Sequence, residues 1–277
     1  MTEFDPELLK KLYKPARDSH KGENGKVMII AGSKLFHAAS IWPLTVASRI
    51  VDMVFYSSVE TNNNIVESIK SEFRDGIIVP RNRVEDYIQE ADAILIGPGL
   101  PRGEGVEEGD DDTRALTERL LNEYPDKKWV IDGGSLQTIN PEVLLNLKTM
   151  PILTPHRREF EKLFNTKYEI QNTKYLSELA QKYNCIILLK GEEDIITSPT
   201  EQVVIAGGNA GMTKGGTGDV LAGLVVALYA KNDAFLSAVT ASYINKKAGE
   251  SLEKKMGIYF NGTDLANEIP SIMKELI

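Results

Sequence analysis

Six glycines and one aspartate in a single polar loop are the residues of this chain whose types and spacing could do chemistry. Residues 207–223 read GGNAGMTKGGTGDVLAG, and the apolar run 220–228 follows without a break. The pattern predicts a glycine-rich loop that opens a buried helix. Glycine lets the backbone approach a ligand closely, and a helix N-terminus offers unpaired N–H groups with a partial positive charge. Together these features indicate an anion-binding site.

Asp219 lies in the first turn of that predicted helix. A carboxylate at this position can cap the free N–H groups, or it can act as a base beside a bound phosphate. The loop is not a Walker loop, because no Gly-Lys-Ser/Thr sequence closes it, and it lacks the GxGxxG spacing of a dinucleotide-binding fold. A dehydrogenase is disfavoured, since no such fingerprint with a ribose-binding acid follows the first predicted strand.

Five other polar or glycine-rich turns each follow a predicted strand. They are AGS at 31–33, GPGL at 97–100, DGGSL at 132–136, TPH at 154–156 and KG at 190–191. Taken singly, each could be only a turn. In an open parallel sheet, ligands bind beyond the carboxyl ends of the strands, so these turns are expected to meet the glycine loop at one edge.

Short apolar runs alternate with longer amphipathic segments along the chain. This alternation is typical of βα crossovers. It predicts an α/β fold with a mostly parallel central sheet and helices on both faces, formed as one domain by residues 1–277. Helix-like segments such as 39–53 and 113–124 separate most of the predicted strands, which are 26–31, 54–58, 76–79, 93–96, 129–131, 152–153, 186–189 and 203–205.

Composition limits the ligand and the compartment. The chain has 277 residues, 42% of them hydrophobic, and a formal net charge of -8 with a pI of about 5.1. Nucleic acid is therefore not an expected partner, and small molecules are the natural ligands. The sequence contains no signal peptide or membrane span, and Cys185 is expected to pack as a small hydrophobe, which predicts a cytoplasmic protein. The acidic run 104–112 is interpreted as a solvated loop.

The segment 209–223 resembles the N-x-G-x-x-x-G-G-T-G-D-x-L-x-G motif of the NAD(P)H-hydrate dehydratases, a family of the ribokinase-like superfamily. The similarity spans roughly residues 20–270, and several motifs in a fixed order are far rarer by chance than any one of them. The other segments that follow the family's order are a loop at 31–40, IGPGL at 96–100, IDGGSL at 131–136, TPHRREF at 154–160 and LKG at 189–191.

The resemblance implies an enzyme that repairs damaged NADH and NADPH. Members of the family use ADP or ATP to phosphorylate the ring hydroxyl of the hydrated nicotinamide, and loss of phosphate then restores the dihydropyridine. In that chemistry Asp219 is expected to be the catalytic base, and the N–H groups of 216–218 are expected to face the oxygens on which charge accumulates. Mg²⁺ is expected with the nucleotide phosphates, although no ligand cluster for it is visible in the sequence.

The resemblance also implies which residues bind each ligand. Contacts with the hydrated NADH or NADPH are expected from Ala39, Gly99, His156 and Asp219. A lone histidine is more often a surface or core residue, and it is the TPH motif that favours a substrate contact. Lys190 can equally be a charge that ends a buried strand. The residues expected at the nucleotide are Lys190, Gly191, Glu192, Glu193, Asp194, Asn209, Gly215, Gly216, Thr217 and Gly218.

Four positions depart from the family's pattern. Phe36 and Ala38 stand where members usually have methionine and glycine, Arg158 stands in the place of the glycine of TPHxGEF, and Gly134 replaces the second aspartate of LDADAL. Arginine would be strained if its position required a positive φ. All four changes lie on the substrate side, so nucleotide binding is the firmer expectation.

Two other kinds of function stay open. A ribokinase-like kinase of a small alcohol or vitamin precursor would share the GTGD loop and release a stable phosphoester. A non-catalytic nucleotide-binding protein would bind ADP or ATP without turnover. Relatives assemble as tetramers or dimers, so the resemblance implies a homo-oligomer, and the apolar residues of 234–244 could pack in the core or at a subunit contact.

Overall fold

One mixed sheet runs through the part of the chain that this computed structural model describes, residues 2–102, 106–167 and 173–277. Its strands are β1 (Thr2–Glu3), β2 (Lys26–Ile30), β3 (Met53–Ser57), β4 (Ile77–Ile78), β5 (Ala93–Ile96), β6 (Lys128–Ile131), β7 (Ile152–Leu153), β8 (Ile186–Leu189), β9 (Asp194–Thr197) and β10 (Gln202–Ile205). Their order across the sheet is β1-β10-β9-β8-β7-β6-β5-β2-β3-β4. The seven strands from β8 to β4 in this order are parallel, whereas β9 is antiparallel to both of its neighbours.

Helices cover both faces of the sheet, as the sequence predicts. They are α1 (Ala38–Ala47), α2 (Glu60–Ser68), α3 (Val84–Glu90), α4 (Thr113–Glu123), α5 (Gly133–Thr138), α6 (Arg157–Leu163), α7 (Thr173–Tyr183), α8 (Thr217–Tyr229), α9 (Ala234–Met256) and α10 (Gly262–Leu276).

Alternate residues of the central strands belong to two separate hydrophobic clusters. Val27 and Ile29 of β2 lie in the cluster that includes residues of α1, α8, α9 and α10, whereas Met28 and Ile30 lie in the cluster with α3, α4, α6 and α7. Successive side chains of a strand point to opposite faces of its sheet, so near-continuous apolar strands are required when both faces are covered. The α/β prediction is therefore confirmed.

At the antiparallel end of the sheet, the sequence analysis predicted β10 as the strand 203–205 but missed β9. Residues 190–194 were expected only as a nucleotide segment, yet Asp194 begins β9, which pairs with β8 and β10. The edge strand β1 was also not predicted. These strands are short and flanked by polar residues, so the apolar runs that mark the parallel strands are weaker there.

The predicted helix 39–53 is too long, because α1 ends at Ala47. The N–H groups of Asp52 and Met53 donate to the carbonyl oxygen of Gly25, 3.1 and 3.3 Å away, and this pairing brings the chain back to the sheet. The predicted helix 113–124 is confirmed within one residue as α4.

The acidic run is not simply a solvated loop, as the sequence interpretation had it. Asp111 forms an ion pair of 2.8 Å with Arg81, and the Asp110 carboxylate accepts a hydrogen bond of 2.8 Å from the backbone N–H of Lys34. The run therefore holds the loop that precedes α1. Glu104 lies outside the described residues.

Two packing predictions can be compared directly with the structure. Cys185 is fully buried among apolar residues, and burial raises the pKa of its thiol. Ala238, Ala241 and Ile244 of α9 belong to the hydrophobic core, which decides between the two packings left open for residues 234–244. In the described ranges, no helix has the length and apolar character needed to span a bilayer.

Candidate active site

The glycine loop enters α8 through a backbone conformation that only glycine adopts easily. Gly216 has φ +96° at the N-cap, and a Cβ added there would lie 2.5 Å from the ring of Trp42 on α1. By contrast, a Cβ on Gly215 would meet nothing within 4 Å. Gly216 is therefore needed both for its positive φ and for the close approach of α1 to the loop.

Two side chains hold the loop in place. The Asn209 amide donates to the carbonyl oxygen of Gly249 (2.8 Å), and its Oδ1 accepts from the N–H of Gly211 (2.8 Å). The Thr217 hydroxyl donates to the carbonyl oxygens of Met212 and Lys214. Both residues were predicted to bind the nucleotide, and the geometry gives their side chains a role in shaping its loop.

A cleft of about 640 Å³ lies between this loop, the β8–β9 turn and α9. The volume is in the range of ligand pockets for small molecules and cofactors. Gly215 and Gly216 are not among the lining residues. The predicted nucleotide residues that line the cleft are Lys190, Gly191, Glu192, Glu193, Asp194, Asn209, Thr217 and Gly218.

A buried lysine, which the sequence reasoning missed, ties two walls of this cleft together. The Lys246 ammonium donates to the carbonyl oxygens of Glu192 (2.8 Å), Gly191 (3.3 Å) and Gly207 (3.2 Å). It also lies 3.6 Å from Asp194 Oδ1. These contacts join the β8–β9 turn to the segment after β10.

Asp194 is engaged within the protein. Its Oδ1 accepts from the N–H of Gly191 (2.9 Å), and its Oδ2 accepts from the Ser242 hydroxyl (2.7 Å). A buried carboxylate with both oxygens occupied serves the shape of the β8–β9 turn. The neighbouring Glu192 and Glu193 are exposed at the same wall.

Charged side chains of both signs lie near the first turn of α8. The Lys190 ammonium donates to Asp132 Oδ1 at 2.9 Å and lies 3.4 Å from the position that a Cβ on Gly218 would take. The buried Asp132 also accepts from the Thr154 hydroxyl at 2.7 Å. Burial alone would lower the pKa of Lys190, but the carboxylates of Asp132, Glu159 and Asp219 outweigh it and raise that pKa.

The carboxyl group of Asp219 is a much weaker acid than an exposed aspartate. Its pKa is raised to about 8, first by desolvation and then by the negative charge of Asp132, while Lys190 and Arg102 act in the opposite direction. A base whose pKa is close to neutrality is well matched to accepting a proton from a reacting hydroxyl. Asp132 belongs to the DGGSL turn. The sequence predicts that this turn lies at the sheet edge, but it does not show that Asp132 pairs with Lys190.

The predicted substrate residues lie outside the 640 Å³ cleft. A Cβ on Gly99 would lie 2.6 Å from Cβ of Ala39, so the GPG turn and the start of α1 are in direct contact. Trp42, one turn further along α1, packs on Gly216. The substrate-side turn and the nucleotide-side loop are therefore neighbours, joined through α1.

His156 is the N-cap of α6. Its Nδ1 accepts from the N–H of Glu159 (3.2 Å), and the Glu159 carboxylate accepts from the N–H of His156 (3.0 Å), which completes a capping box. The imidazole is about half exposed, and the backbone of His156 forms a parallel β-bridge with Lys190. The structure thus brings His156 to the edge of the site and also gives it a structural role.

The departures from the family's pattern create no backbone strain. Arg158 lies inside α6, and the described non-glycine residues with a positive φ are only Asn165 and Asn184. The position of Arg158 therefore does not require a positive φ, and the strain considered from the sequence does not arise. Gly134 cannot carry a side chain here, because a Cβ would lie 2.2 Å from the carbonyl oxygen of Leu100.

The fold and this edge of the sheet define a ribokinase-like α/β protein with an anion-binding glycine loop and an acid in the first turn of the following helix. A family model described as NAD(P)H-hydrate dehydratase matches residues 27–271. The chain belongs to this family, which confirms the resemblance seen in the motifs.

Individual relatives agree with the family match. A bifunctional NAD(P)H-hydrate repair enzyme of Methanocaldococcus jannaschii is 38% identical over 277 residues, covering 96% of this chain and 51% of that relative. The chain thus spans about half the length of that relative. An ADP-dependent (S)-NAD(P)H-hydrate dehydratase of Nitrosopumilus maritimus is 34% identical, covering 96% of this chain and 95% of the relative.

The solved structures show the same fold. The ADP/ATP-dependent NAD(P)H-hydrate dehydratase of Bacillus subtilis, co-crystallised with ATP and Mg²⁺, matches with a TM-score of 0.82. The match covers 100% of this chain and 99% of that one, at 22% sequence identity. At this identity the likeness establishes the fold.

Proposed function

We propose that this protein uses ADP or ATP to dehydrate the hydrated forms of NADH and NADPH and so restores the reduced nicotinamide ring. The observation that carries the proposal is the position of Asp219. This carboxyl group has a pKa of about 8 in the first turn of α8, where the glycine loop of the cleft meets α1. Membership of the dehydratase family supports the same reaction.

The cleft lining carries charge of both signs. Gly218 and Thr217 open α8 beside the Lys190 ammonium, and a helix N-terminus with a cation favours phosphate. Glu192 and Glu193 also line the cleft, and their carboxylates repel phosphate and can accept hydrogen bonds from sugar hydroxyls. A nucleotide is therefore expected to place its terminal phosphate at the start of α8, where Asp219 lies.

The chemistry proceeds in two steps. Asp219 accepts the proton of the ring hydroxyl as that oxygen attacks the terminal phosphorus, and the phosphorus–oxygen bond to the nucleotide breaks. The N–H groups at the start of α8 stabilise the charge that accumulates on the transferring group. Cleavage of the carbon–oxygen bond then releases phosphate, and loss of a proton from the adjacent ring carbon restores the double bond.

A Mg²⁺ ion that arrives with the nucleotide fits this site. In the described ranges no group of three or more histidine, cysteine, aspartate or glutamate side chains is placed to hold a metal. Mg²⁺ commonly uses only one or two protein carboxylates together with substrate phosphates. Asp219 and Asp132 are two carboxylates close to the first turn of α8 that could hold the ion, and the bound ion would supply positive charge to the transferring phosphoryl group.

The location and assembly of the protein are proposed on the same basis. We place it in the cytoplasm, where a reduced cysteine such as the buried Cys185 is stable. We also propose a homo-oligomer, which gel filtration with light scattering would test directly.

The test is absorbance at the reduced-nicotinamide band when the full chain is mixed with NADH hydrate, Mg²⁺ and either ADP or ATP. A nucleotide-dependent rise is expected for the wild type and for Asp86→Asn, an exposed first-turn aspartate of α3. In Asp219→Asn, the rate is expected to be about 10²- to 10⁴-fold lower. Nucleotide binding without any rise would refute the dehydratase proposal, and an accumulating phosphoester would indicate a kinase instead.

A further inference from the structure

One buried polar group of the nucleotide cleft has no partner in the protein. Asn245 of α9 lines the cleft and is only 4% exposed. Its Oδ1 atom is one of two buried side-chain atoms in the described part of the chain that lack a hydrogen-bond partner. Leaving a buried carbonyl oxygen unpaired costs free energy, so such a group in a native structure needs an explanation.

The second such atom has a different setting. It is Nε of Arg81, whose guanidinium pairs with Asp111 (2.8 Å) and donates to the carbonyl oxygen of Ser57 (3.1 Å). The two terminal nitrogens of the Arg81 guanidinium therefore donate to groups within the protein, and Arg81 does not line the cleft. Asn245, by contrast, is one of the residues that line the cleft, which is large enough for a ligand.

The surroundings of Asn245 suit the nucleoside part of a nucleotide. Ala206, Met212 and Leu221 line the same cleft and form an apolar wall for a flat heterocycle. Leu221 lies one turn beyond Thr217 on α8, about 5 Å further along the helix axis from the N–H groups proposed to bind phosphate. The adjacent Lys246 holds the β8–β9 turn and the segment after β10 against α9.

We infer that the Asn245 carboxamide accepts a hydrogen bond from the nucleoside of the bound nucleotide and thereby sets the nucleotide preference of the cleft. The inference rests on the proposed nucleotide site. The 6-amino group of adenine and the ribose hydroxyls share the required chemistry, since each is a hydrogen-bond donor. A site that pairs a buried acceptor with a ligand donor rejects analogues that lack the donor.

Calorimetric titration of the wild-type chain with a series of analogues tests the inference without any variant. The series is ADP, purine riboside 5′-diphosphate, 2′-deoxy-ADP, 3′-deoxy-ADP and inorganic diphosphate. One analogue that lacks a single donor is expected to bind about tenfold more weakly than ADP, and its identity separates base from sugar as the partner. Equal binding of all the nucleotide analogues would overturn the inference.

The variant Asn245→Leu provides the second measurement. It is expected to bind ADP about tenfold more weakly, equivalent to about 1.4 kcal/mol, and to lose the discrimination between ADP and the donor-deficient analogue. Binding of inorganic diphosphate is expected to be unchanged. Equal losses for ADP and diphosphate would overturn the inference, because they would indicate general damage to the cleft.

Three controls separate this role from a structural one. Thr213→Val removes a cleft hydroxyl that is already donating to the carbonyl oxygen of Ala210 (2.8 Å), and it should retain the ADP preference. Ligand-free Asn245→Leu should unfold at the wild-type temperature or above, because it removes an unpaired buried oxygen. Asn245→Asp keeps an acceptor and should retain more of the preference than Asn245→Leu.

The outcomes also distinguish this inference from the proposed function. If the wild type binds ADP with these preferences but does not dehydrate NADH hydrate, the inference stands and the dehydratase proposal fails. If the wild type dehydrates NADH hydrate and Asn245→Leu behaves like it, only the inference fails. Absence of ADP and ATP binding in the wild type would overturn both.

Discussion

The proposed nucleotide side and the proposed substrate side of this site are built differently. The nucleotide side is a backbone cradle whose shape is held by buried side chains, among them Lys246, Asp194 and Thr217. On the substrate side, the buried contact of Ala39 with Gly99 lies next to Leu35 and Phe36, which are 53% and 43% exposed. Hydrogen bonds between buried groups fix the shape of the nucleotide side, whereas the substrate side presents side chains that solvent or a ligand can reach.

This difference explains where the chain could depart from its family's pattern. A backbone cradle requires glycine where the chain is tightly packed, so Gly216, with φ +96° and Trp42 against it, has little freedom to change. The early loop carries Phe36 and Ala38 without backbone strain, since Phe36 is exposed and Ala38 simply begins α1. Substrate preference can therefore change while nucleotide binding is kept.

The largest expected effect comes from removing the cation that holds the cradle. Lys246→Met leaves the buried Asp194 carboxylate and three carbonyl oxygens without their ammonium, so we expect a loss of about 3 kcal/mol in the free energy of unfolding. Nucleotide affinity should fall with it. Denaturant unfolding and ADP titration measure the two effects.

Lys247→Met is the matched control for that variant. Lys247 pairs with Glu250 near the surface, at 2.8 Å, and such pairs contribute little. A change of less than about 1 kcal/mol is expected. Equal losses in the two variants would show that Lys246 has no special role in the cradle.

A smaller but more local effect is expected from Gly216→Ala. Its Cβ would overlap the Trp42 ring, and φ +96° is unfavourable for alanine, so about 1–3 kcal/mol of stability should be lost. ADP binding should weaken as the loop shifts. Gly215→Ala, whose Cβ meets open space, should bind ADP as the wild type does, and a similar loss in both variants would contradict the proposed loop geometry.

The pH dependence sharpens the role of Asp219. Its folded-state pKa of about 8 lies above the ordinary aspartate value of 3.8, so the native state holds this proton more tightly than the unfolded state. The stability from this group is therefore present below about pH 4 and lost as pH rises toward 8. Asp219→Asn should lack this loss, and urea unfolding at pH 5 and pH 8 compares the two chains.

The pH dependence of activity provides a second test of the role of Asp219. Because a base must be unprotonated to accept a proton, kcat/KM for NADH hydrate should rise with pH through about 8 in the free enzyme. A profile that is flat between pH 6 and pH 9 would argue against Asp219 as the base.

The smallest effect on stability is expected on the substrate side. Phe36→Ala removes an exposed ring that lies beneath the Arg102 guanidinium, at 5.8 Å from its centroid. Stability should change by less than about 0.5 kcal/mol, as for other surface substitutions. The KM for NADH hydrate should rise several-fold while the Kd for ADP stays constant, and the reverse pattern would place Phe36 on the nucleotide side.

Much of the fold and half of the site could be predicted because the signals are local. Buried parallel strands are short apolar runs, and the turns after them carry glycine or polar residues, so the edge of the sheet and the loop at Gly216 could be inferred directly. The hairpin of β9 and β10 was missed in part because a polar start at Asp194 hides β9. The end of α1 was misplaced because its stop depends on pairing with Gly25.

The sequence by itself determined the glycine loop that we propose to bind phosphate, the place of Asp219 in the helix that follows, and the collection of turns at one edge of a parallel sheet. These features depend on local backbone conformation and on the spacing of apolar residues along the chain, and both are determined by residues that are close in sequence. Only the tertiary structure decided the pairing of Lys190 with Asp132, which are 58 residues apart, and the contact of Lys246 with Gly191, 55 residues away. It also decided the raised pKa of Asp219 and the unpaired oxygen of Asn245, because burial and electrostatic neighbours exist only once distant segments have packed together.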